Sequence, residues 1–389
     1  MRRIAKWVPI VTRLAQHPRY AMHLVLRKLL QYQRCRHIAG RASDDVAPPL
    51  GYDLVLTWKC NLRCRMCMQW GRHGWCHRLD DELVDEELPL ATIERLVDAS
   101  RGPGTFFVLF GGEPLLYTEF DSLAALLRRR RCFATVCTNG TLLDQHVEAI
   151  RGNPYLSFVI ALDGLATAND AIRGQGVFRK VTQNIRTLKA ARGSPYIGVE
   201  CTVLPDNLST LAEFCREVAR LGADWIVLNL AWFISEKQAR DYEALTRAHY
   251  AVDPVSHSGY VWNYELDRQQ FVAQYDTIAR ERWPVQISWM PPLKRADQIH
   301  DYMDRPEDPL GHTFCYKQWL RCDVLPSGDV VTCKQFPDIV AGHVRDEDVN
   351  RAWNSDRYRQ FRRLITHTPL PVCSKCNALY LYQPNRSVL

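Results

Sequence analysis

The chain has 389 residues, room for two or three domains with buried cores. Its 47% apolar, 24% charged and 10% aromatic residues are those of a folded protein and exclude disordered, collagen-like and fibrous classes. No run approaches the roughly 18 uninterrupted apolar residues of a membrane span, and the net charge of +7 is unevenly spread. Up to Arg41 there are ten Lys/Arg (Arg2, Arg3, Lys6, Arg13, Arg19, Arg27, Lys28, Arg34, Arg36, Arg41) and no Asp or Glu. The body is therefore slightly acidic. A nucleic-acid-binding body would be basic over a whole face, so no nucleic-acid partner is expected.

Residues 1–46 read as a basic helical leader. Met22, Val25, Leu26, Leu29 and Tyr32 recur at three- and four-residue spacing and share one helix face. The expectation is a basic helix packed on the body. Peripheral membrane contact through residues 1–41 is the alternative, because basic amphipathic helices bind anionic headgroups. No secretory signal pattern is present, and 14 cysteines in a chain with a full apolar complement fit a reducing, cytoplasmic setting.

Residues 47–231 alternate strand and helix. Strand patterns fall at 53–57, 105–110, 132–137, 156–162, 197–203 and 225–230. Helical patterns fall at about 90–101, 119–131, 142–151, 178–192 and 208–221. Six strands with helices between them predict a parallel sheet with right-handed crossovers. No GxGxxG follows the first strand, so the expectation is α/β, a partial (β/α)6 TIM-like barrel and not a Rossmann sheet. Residues 232–312 read as a helical bridging or substrate-facing segment, with helices at about 235–250, 265–282 and 294–304. Its Trp232, Phe233, Tyr260, Trp262 and Tyr264 are core residues or walls of a pocket over the barrel mouth. Residues 313–389 hold five cysteines and little apolar periodicity, which predicts a small domain dependent on metal for its fold.

Just after the first strand stands Cys60-Asn-Leu-Arg-Cys64-Arg-Met-Cys67. Three thiolates in one loop reach three corners of an iron–sulfur cube and leave one iron open, the arrangement of a catalytic metal site. A zinc knuckle with Cys76 as fourth ligand is the alternative. The second strand ends in Phe110-Gly111-Gly112-Glu113-Pro114, the third in Thr138-Asn139-Gly140 and the fourth in Ala161-Leu162-Asp163-Gly164. Asn169-Asp170-Ala171-Ile172-Arg173-Gly174 follows. All sit at C-terminal strand ends, where β/α barrels place their sites.

These motifs, in this order, resemble the radical S-adenosylmethionine (SAM) superfamily. The resemblance implies that Cys60, Cys64 and Cys67 hold a [4Fe–4S] cluster whose open iron binds the amino and carboxylate groups of SAM. It assigns Gly111, Gly112 and Glu113 to the SAM amino group. It places Asn139 in the family's "TNG" stretch, Asp163 at the ribose hydroxyls and Arg173 at the carboxylate. Met66 replaces the aromatic residue that often precedes the third cysteine, against adenine, and Ala161 replaces a serine. From the residues alone, Asp163 and Arg173 could instead form a loop-capping ion pair.

The C-terminal segment carries Cys315, Cys322 and Cys333, then Cys373-Ser-Lys-Cys376. A hairpin turn at Pro326–Asp329 would bring Cys315 and Cys333 together, and a distant CxxC could close the site. Spacing leaves zinc and iron–sulfur comparable. Cys-x12-Gly-x4-Cys, then Trp353-Asn354-Ser355, then Pro-x-Cys-x-x-Cys, is similar to the SPASM and shortened twitch extensions of radical SAM enzymes. That resemblance implies one auxiliary [4Fe–4S] cluster on Cys315, Cys333, Cys373 and Cys376, with Cys322 the spare. Cys35, Cys132, Cys137, Cys201 and Cys215 read as inert thiols. Cys76, beside His73 and His77, is a minor hydrogen-atom-donor candidate.

The implied function is reductive cleavage of SAM to a 5′-deoxyadenosyl radical and oxidative modification (dehydrogenation or cross-linking) of a natural-product, sugar or peptide substrate. An external flavodoxin- or ferredoxin-like protein would supply electrons. Ribosomal-peptide maturases of this group often carry an N-terminal recognition domain of strands and helices, for which the 46-residue leader is short and strand-poor. A redox-neutral epimerase or a membrane-lipid-modifying radical SAM enzyme is the alternative.

Overall fold

The computed structural model describes residues 8–38, 46–100, 102, 104–191, 193–345 and 348–383. The leader's Arg2, Arg3, Lys6 and Arg41 lie outside the described residues. The chain opens with α1 (Val8–Ala15) and α2 (Pro18–Ile38). Six parallel strands follow: β1 (Gly51–Val55), β2 (Phe106–Phe110), β3 (Phe133–Thr138), β4 (Leu156–Ala161), β5 (Tyr196–Val203) and β6 (Trp225–Leu230). They are short, mostly apolar runs, and β1 is buried throughout, whereas β3 alternates buried and half-buried residues. The main crossovers are α3 (Leu90–Ala99), α4 (Phe120–Arg130), α5 (Val147–Ile150), α6 (Val177–Ala190) and α7 (Leu211–Arg220). Their apolar stripes face the sheet; in α7, Leu211, Phe214, Cys215 and Val218 are buried. This is the partial barrel expected.

The sheet is larger than the six strands. Beyond β6 come α8 (Glu236–Tyr250) and α9 (Arg268–Arg280), then β7 (Gln286–Met290) parallel to β6. The segment read as a helical bridge at the end of the barrel thus also contains a strand. Gln-Ile-Ser-Trp-Met is five residues long and mostly half-buried, so it carries neither an apolar run nor a clean alternation. On the other edge β8 (Arg321–Val324) pairs in parallel with β1. Then β9 (Asp329–Val331) and β10 (Val340–His343) continue antiparallel. The order is β10-β9-β8-β1-β2-β3-β4-β5-β6-β7. The C-terminal segment is also richer in core residues than its sequence pattern suggests. Trp353, Tyr358, Phe361 and Val324 join the main apolar core; Tyr358, Phe361 and Ile365 line one face of a short helix, Asp356–Ile365, whose few apolar positions are easily missed among its charges.

The leader packs on the body, as expected, and does so through its polar and aromatic side rather than through its apolar face. His17 and Tyr20 meet Tyr196 at the start of β5, and His23 stacks on Phe133 and Phe106 at the starts of β3 and β2. Arg27 lies 4.1 Å from the Phe106 ring centre. The strand starts are aromatic, so they select rings and a guanidinium as partners. Met22, Val25, Leu29 and Tyr32 point away, exposed. The helix covers the end of the barrel opposite the strand-end motifs.

Candidate active site

The cysteine loop leaves β1 and is tied to the rest of the mouth by backbone. Gly112 N donates to Thr57 O (2.9 Å) and Glu113 N to Lys59 O (2.7 Å). A Cβ at Gly112 would collide with the Trp58 and Lys59 carbonyl oxygens, so glycine is required there to seat the loop's stem. Each sulfur has a donor: Leu62 N to Cys60 (3.4 Å), Trp70 N to Cys67 (3.4 Å) and the Arg173 guanidinium to Cys64 (3.7 Å). Burial pushes the Cys60 thiol up to about 12 and Cys64 to about 11, with Arg173 opposing it at Cys64. Metal binding therefore releases protons, and the three donors suit the resulting thiolates. Trp58, Trp70, Trp75 and Cys76 form an apolar wall against Cys60 and Cys67. Cys76 is thus packed in this wall. Among the described residues no three His, Cys, Asp or Glu gather on a single ion, whereas a cubane takes each thiolate on a separate iron.

Glu113 is fully buried and joins two motifs. Its carboxylate accepts from Thr138 Oγ1 (2.6 Å), Asn139 N (2.7 Å) and Leu115 N (3.0 Å). Burial raises its pKa, and these donors oppose the rise. Three of about four acceptor sites are occupied. Asn139 in turn donates to Asn61 Oδ1 (2.8 Å), the residue after Cys60. Asp163 and Arg173 form an ion pair at 2.7 Å, with Asp163 also accepting from Thr202 N (2.7 Å). The carboxylate expected at a ribose is therefore engaged by the arginine expected at a carboxylate. Arg173 reaches past it to Cys64. Met66 is half-buried beside the core.

The second group assembles around the β8–β9 hairpin. Cys315 precedes it, Cys333 follows it, and Cys373 and Cys376 bracket a tight turn with Cys376 N on Cys373 O (3.0 Å). Each of these four thiols lies within electrostatic reach of the others. Backbone N–H groups of Lys317 and Gln318 face Cys315, those of Gln335 and Phe336 face Cys333, and those of Ala378 and Leu379 face Cys376. Donors of this kind stabilise thiolates. Cys322 is absent from the group: it sits in β8 opposite Tyr52, fully buried, with Asp323, Lys317 and Arg362 as its charged neighbours.

Between the two groups lie residues that the motifs did not point to. Asp53 in β1 is bound by Arg321 (Nε, 2.7 Å), Lys334 (3.4 Å) and Lys317 (3.8 Å), and Lys317 also pairs with Asp323. Burial opposes ionisation of Asp53, but Arg321, Lys334 and Lys317 outweigh it and hold the carboxyl well below its usual range. Asp323 is pushed the other way by burial, with Lys317 its principal counter-charge. Lys334, next to Cys333, lies over the Phe110 ring (4.0 Å) and within electrostatic reach of Cys137 and Glu200. Glu200 on β5 accepts from the Asn229 amide on β6. A charge inside the apolar run Tyr-Ile-Gly-Val-Glu-Cys was the available signal. Tyr260 bridges the groups: its hydroxyl bonds Gln335 (3.2 Å), and Cys376, Cys333 and Cys67 all lie within its electrostatic reach. Asp338 fixes this bridge by accepting from Val255 N (2.8 Å), Tyr242 Oη (3.1 Å) and Ser256.

Comparison with known proteins agrees with this geometry. The sequence matches the Radical SAM superfamily over residues 54–218 and the SPASM iron-sulfur cluster-binding domain over residues 315–377. It is 24% identical to the tungsten-containing aldehyde ferredoxin oxidoreductase cofactor-modifying protein of Pyrococcus furiosus, over 83% of this chain and 86% of that one. It is 28% identical to mycofactocin maturase MftC of Mycolicibacterium smegmatis, over 45% of this chain and 43% of that one. In fold it is similar to SuiB of Streptococcus suis (TM-score 0.60, 14% identity, 86% of this chain and 73% of that one). It is also similar to anSMEcpe with bound AdoMet (TM-score 0.56, 17% identity, 82% and 84%). The cofactors are SAM and [4Fe–4S] clusters, for which the donor sets described above are suited. The chain belongs to the radical SAM superfamily and carries a C-terminal SPASM domain.

Proposed function

We propose that this enzyme cleaves SAM at the Cys60–Cys67 loop and oxidatively modifies a natural-product, sugar or peptide substrate at the barrel mouth. A second [4Fe–4S] cluster sits on Cys315, Cys333, Cys373 and Cys376. The observation that carries the reading is the gathering of those four thiols beside β1, with Lys334 extending from Cys333 toward Glu200. Cys60, Cys64 and Cys67 would hold a cluster with one open iron, which, with SAM bound, would supply reductive sulfonium cleavage and hydrogen-atom abstraction from substrate.

The chain's own groups set the stage for that chemistry. Cys60, Cys64 and Cys67 hold the first cluster. Glu113 offers its remaining acceptor site to the SAM amino group, Gly111 and Gly112 bring the loop stem close, and Asn139 fixes the loop through Asn61. Arg173, steadied by Asp163, takes the SAM carboxylate, and Met66 lies against adenine. Trp58, Trp70 and Trp75 exclude water from the thiolate side. Glu200, Asn229 and Lys334 orient a polar substrate. A flavodoxin- or ferredoxin-like protein delivers the electron. A peptide substrate is supported by SuiB, which was solved with the precursor peptide SuiA. Cofactor modification is supported by the Pyrococcus relative.

The test is anaerobic purification with iron and sulfide analysis, followed by 5′-deoxyadenosine production under dithionite. Two clusters' worth of iron and sulfide, with SAM cleavage, is expected. Zinc without sulfide would overturn the reading.

A further inference from the structure

Helix α2 packs on the barrel through His23, Leu24 and Cys35. Its opposite face carries Met22, Val25, Leu29 and Tyr32, which are 70, 59, 56 and 42% exposed. They stand at i, i+3, i+7 and i+10 and form one continuous ridge. Four of the six large apolar side chains exposed among the described residues lie on this ridge. An exposed apolar stripe on an ordered helix marks an interaction surface.

The charge of the same end of the molecule identifies the surface it fits. Neither α1 nor α2 contains an acidic residue, and no Asp or Glu occurs in the sequence before Asp44. Arg36 lies over the Tyr32 ring (5.9 Å) at the end of the ridge. On the inner flank, Arg27 and Lys28 line a cavity of about 130 Å³ with Gln31, Phe106 and Tyr382. Neither has a carboxylate partner among the described residues. Burial and the neighbouring Arg27 push Lys28 down to about 8. A half-buried cation without a counter-ion gains from one, and a phosphate oxygen would supply it.

We propose that α2 docks the enzyme on an anionic phospholipid surface, with Met22, Val25, Leu29 and Tyr32 entering the acyl boundary and Lys28, on the flank of the ridge, taking a headgroup phosphate. Because α2 covers the strand starts, the docked barrel turns its mouth, with Cys60 and Glu113, away from the bilayer. The enzyme would be tethered while taking substrate from the aqueous side. This inference is independent of the chemistry proposed above.

The experiment is co-sedimentation of the full-length, cluster-loaded protein with vesicles of phosphatidylcholine, or of phosphatidylcholine with a quarter phosphatidylglycerol. Binding to the anionic vesicles alone is expected, and it should weaken in high salt. The double variant Val25→Glu, Leu29→Glu should lose about tenfold or more in partitioning, and Lys28→Gln about fivefold. Lys237→Gln, exposed on α8, serves as the control with no loss. Inorganic phosphate competing fully with vesicles would show that the cavity takes a free anion and would overturn lipid docking. So would unaltered sedimentation of the double variant, or its conversion from dimer to monomer in light scattering, which would show a second copy covering the ridge.

Discussion

Asn139 donates its side-chain amide to Asn61 at 2.8 Å, so the turn that ends β3 holds the residue directly after the first cysteine. Asn61 also donates to Thr141 Oγ1 at 2.9 Å. Replacing Asn61 by Ala removes both bonds from an exposed residue, leaving the core untouched. At about 1 kcal/mol for each net hydrogen bond, losing the two should let the cysteine loop open roughly 30-fold more often. Iron loss from the first cluster to a chelator should accelerate by that factor. An unchanged rate would show that the turn does not brace the loop.

Glu113→Gln tests a residue with two jobs. An amide nitrogen cannot accept the bonds that a carboxylate oxygen takes from Thr138 or Asn139. Cluster content should stay near normal, because the residue does not touch the thiols through its side chain. SAM affinity should fall by about 10- to 150-fold, corresponding to one charge-assisted hydrogen bond of roughly 1.5–3 kcal/mol. Equilibrium binding of SAM reads this directly, and an equal dissociation constant would remove Glu113 from the SAM site.

Cys322→Ala and Cys315→Ala should separate cleanly. Cys322 has no thiol among its charged neighbours and lies in the sheet, so its loss should keep iron and sulfide intact and cost about 1 kcal/mol of packing. Cys315→Ala should lower iron content by up to about half, because a cubane with three thiolates is lost or left labile. Reductive SAM cleavage should survive in part. If both variants keep full iron, the four-thiol group holds no cluster.

Asp53→Asn leaves Arg321, Lys334 and Lys317 buried without their shared counter-charge. Breaking a buried ionic group in this way costs about 3–5 kcal/mol, which urea unfolding would measure. The pH dependence has a definite sign. The folded-state pKa of Asp53 is lowered, so its contribution is fully present above about pH 4 and is lost as the pH falls through the lowered value. The Asn variant should therefore lose less stability on acidification than the parent. Parallel acid-unfolding curves would contradict this.

The parts of the molecule written in local patterns were readable from the sequence. CxxxCxxC, the Gly-Gly-Glu-Pro turn and the alternating strands 1–6 each declare themselves within a few residues. The pairing of Cys315 with Cys333 followed from one hairpin turn. What was not legible depends on contacts between distant segments. Nothing near Gln286 announces a strand, since β7 exists only because β6 offers it an edge. Asp53, Lys317, Arg321 and Lys334 look like unrelated charges until β8 is laid beside β1. Which face of the leader meets the body was not legible, because periodicity shows that a face is apolar, not what it meets. His23 and Arg27 won the contact by stacking on Phe133 and Phe106.

The pairing of β8 with β1 also governs how this chain can acquire its shape. The two strands are separated by some two hundred and seventy positions, and each is buried in the finished sheet. Until nearly the whole polypeptide has emerged, β1 has an open edge whose backbone groups lack a partner on one side. Long loops must close before that contact forms, which slows assembly and lengthens exposure to aggregation. The SAM-cleaving half is therefore not a free-standing module to which a second cluster was appended. A chain cut before Cys315 would present an unprotected apolar edge, and its first strand would invite pairing with other chains.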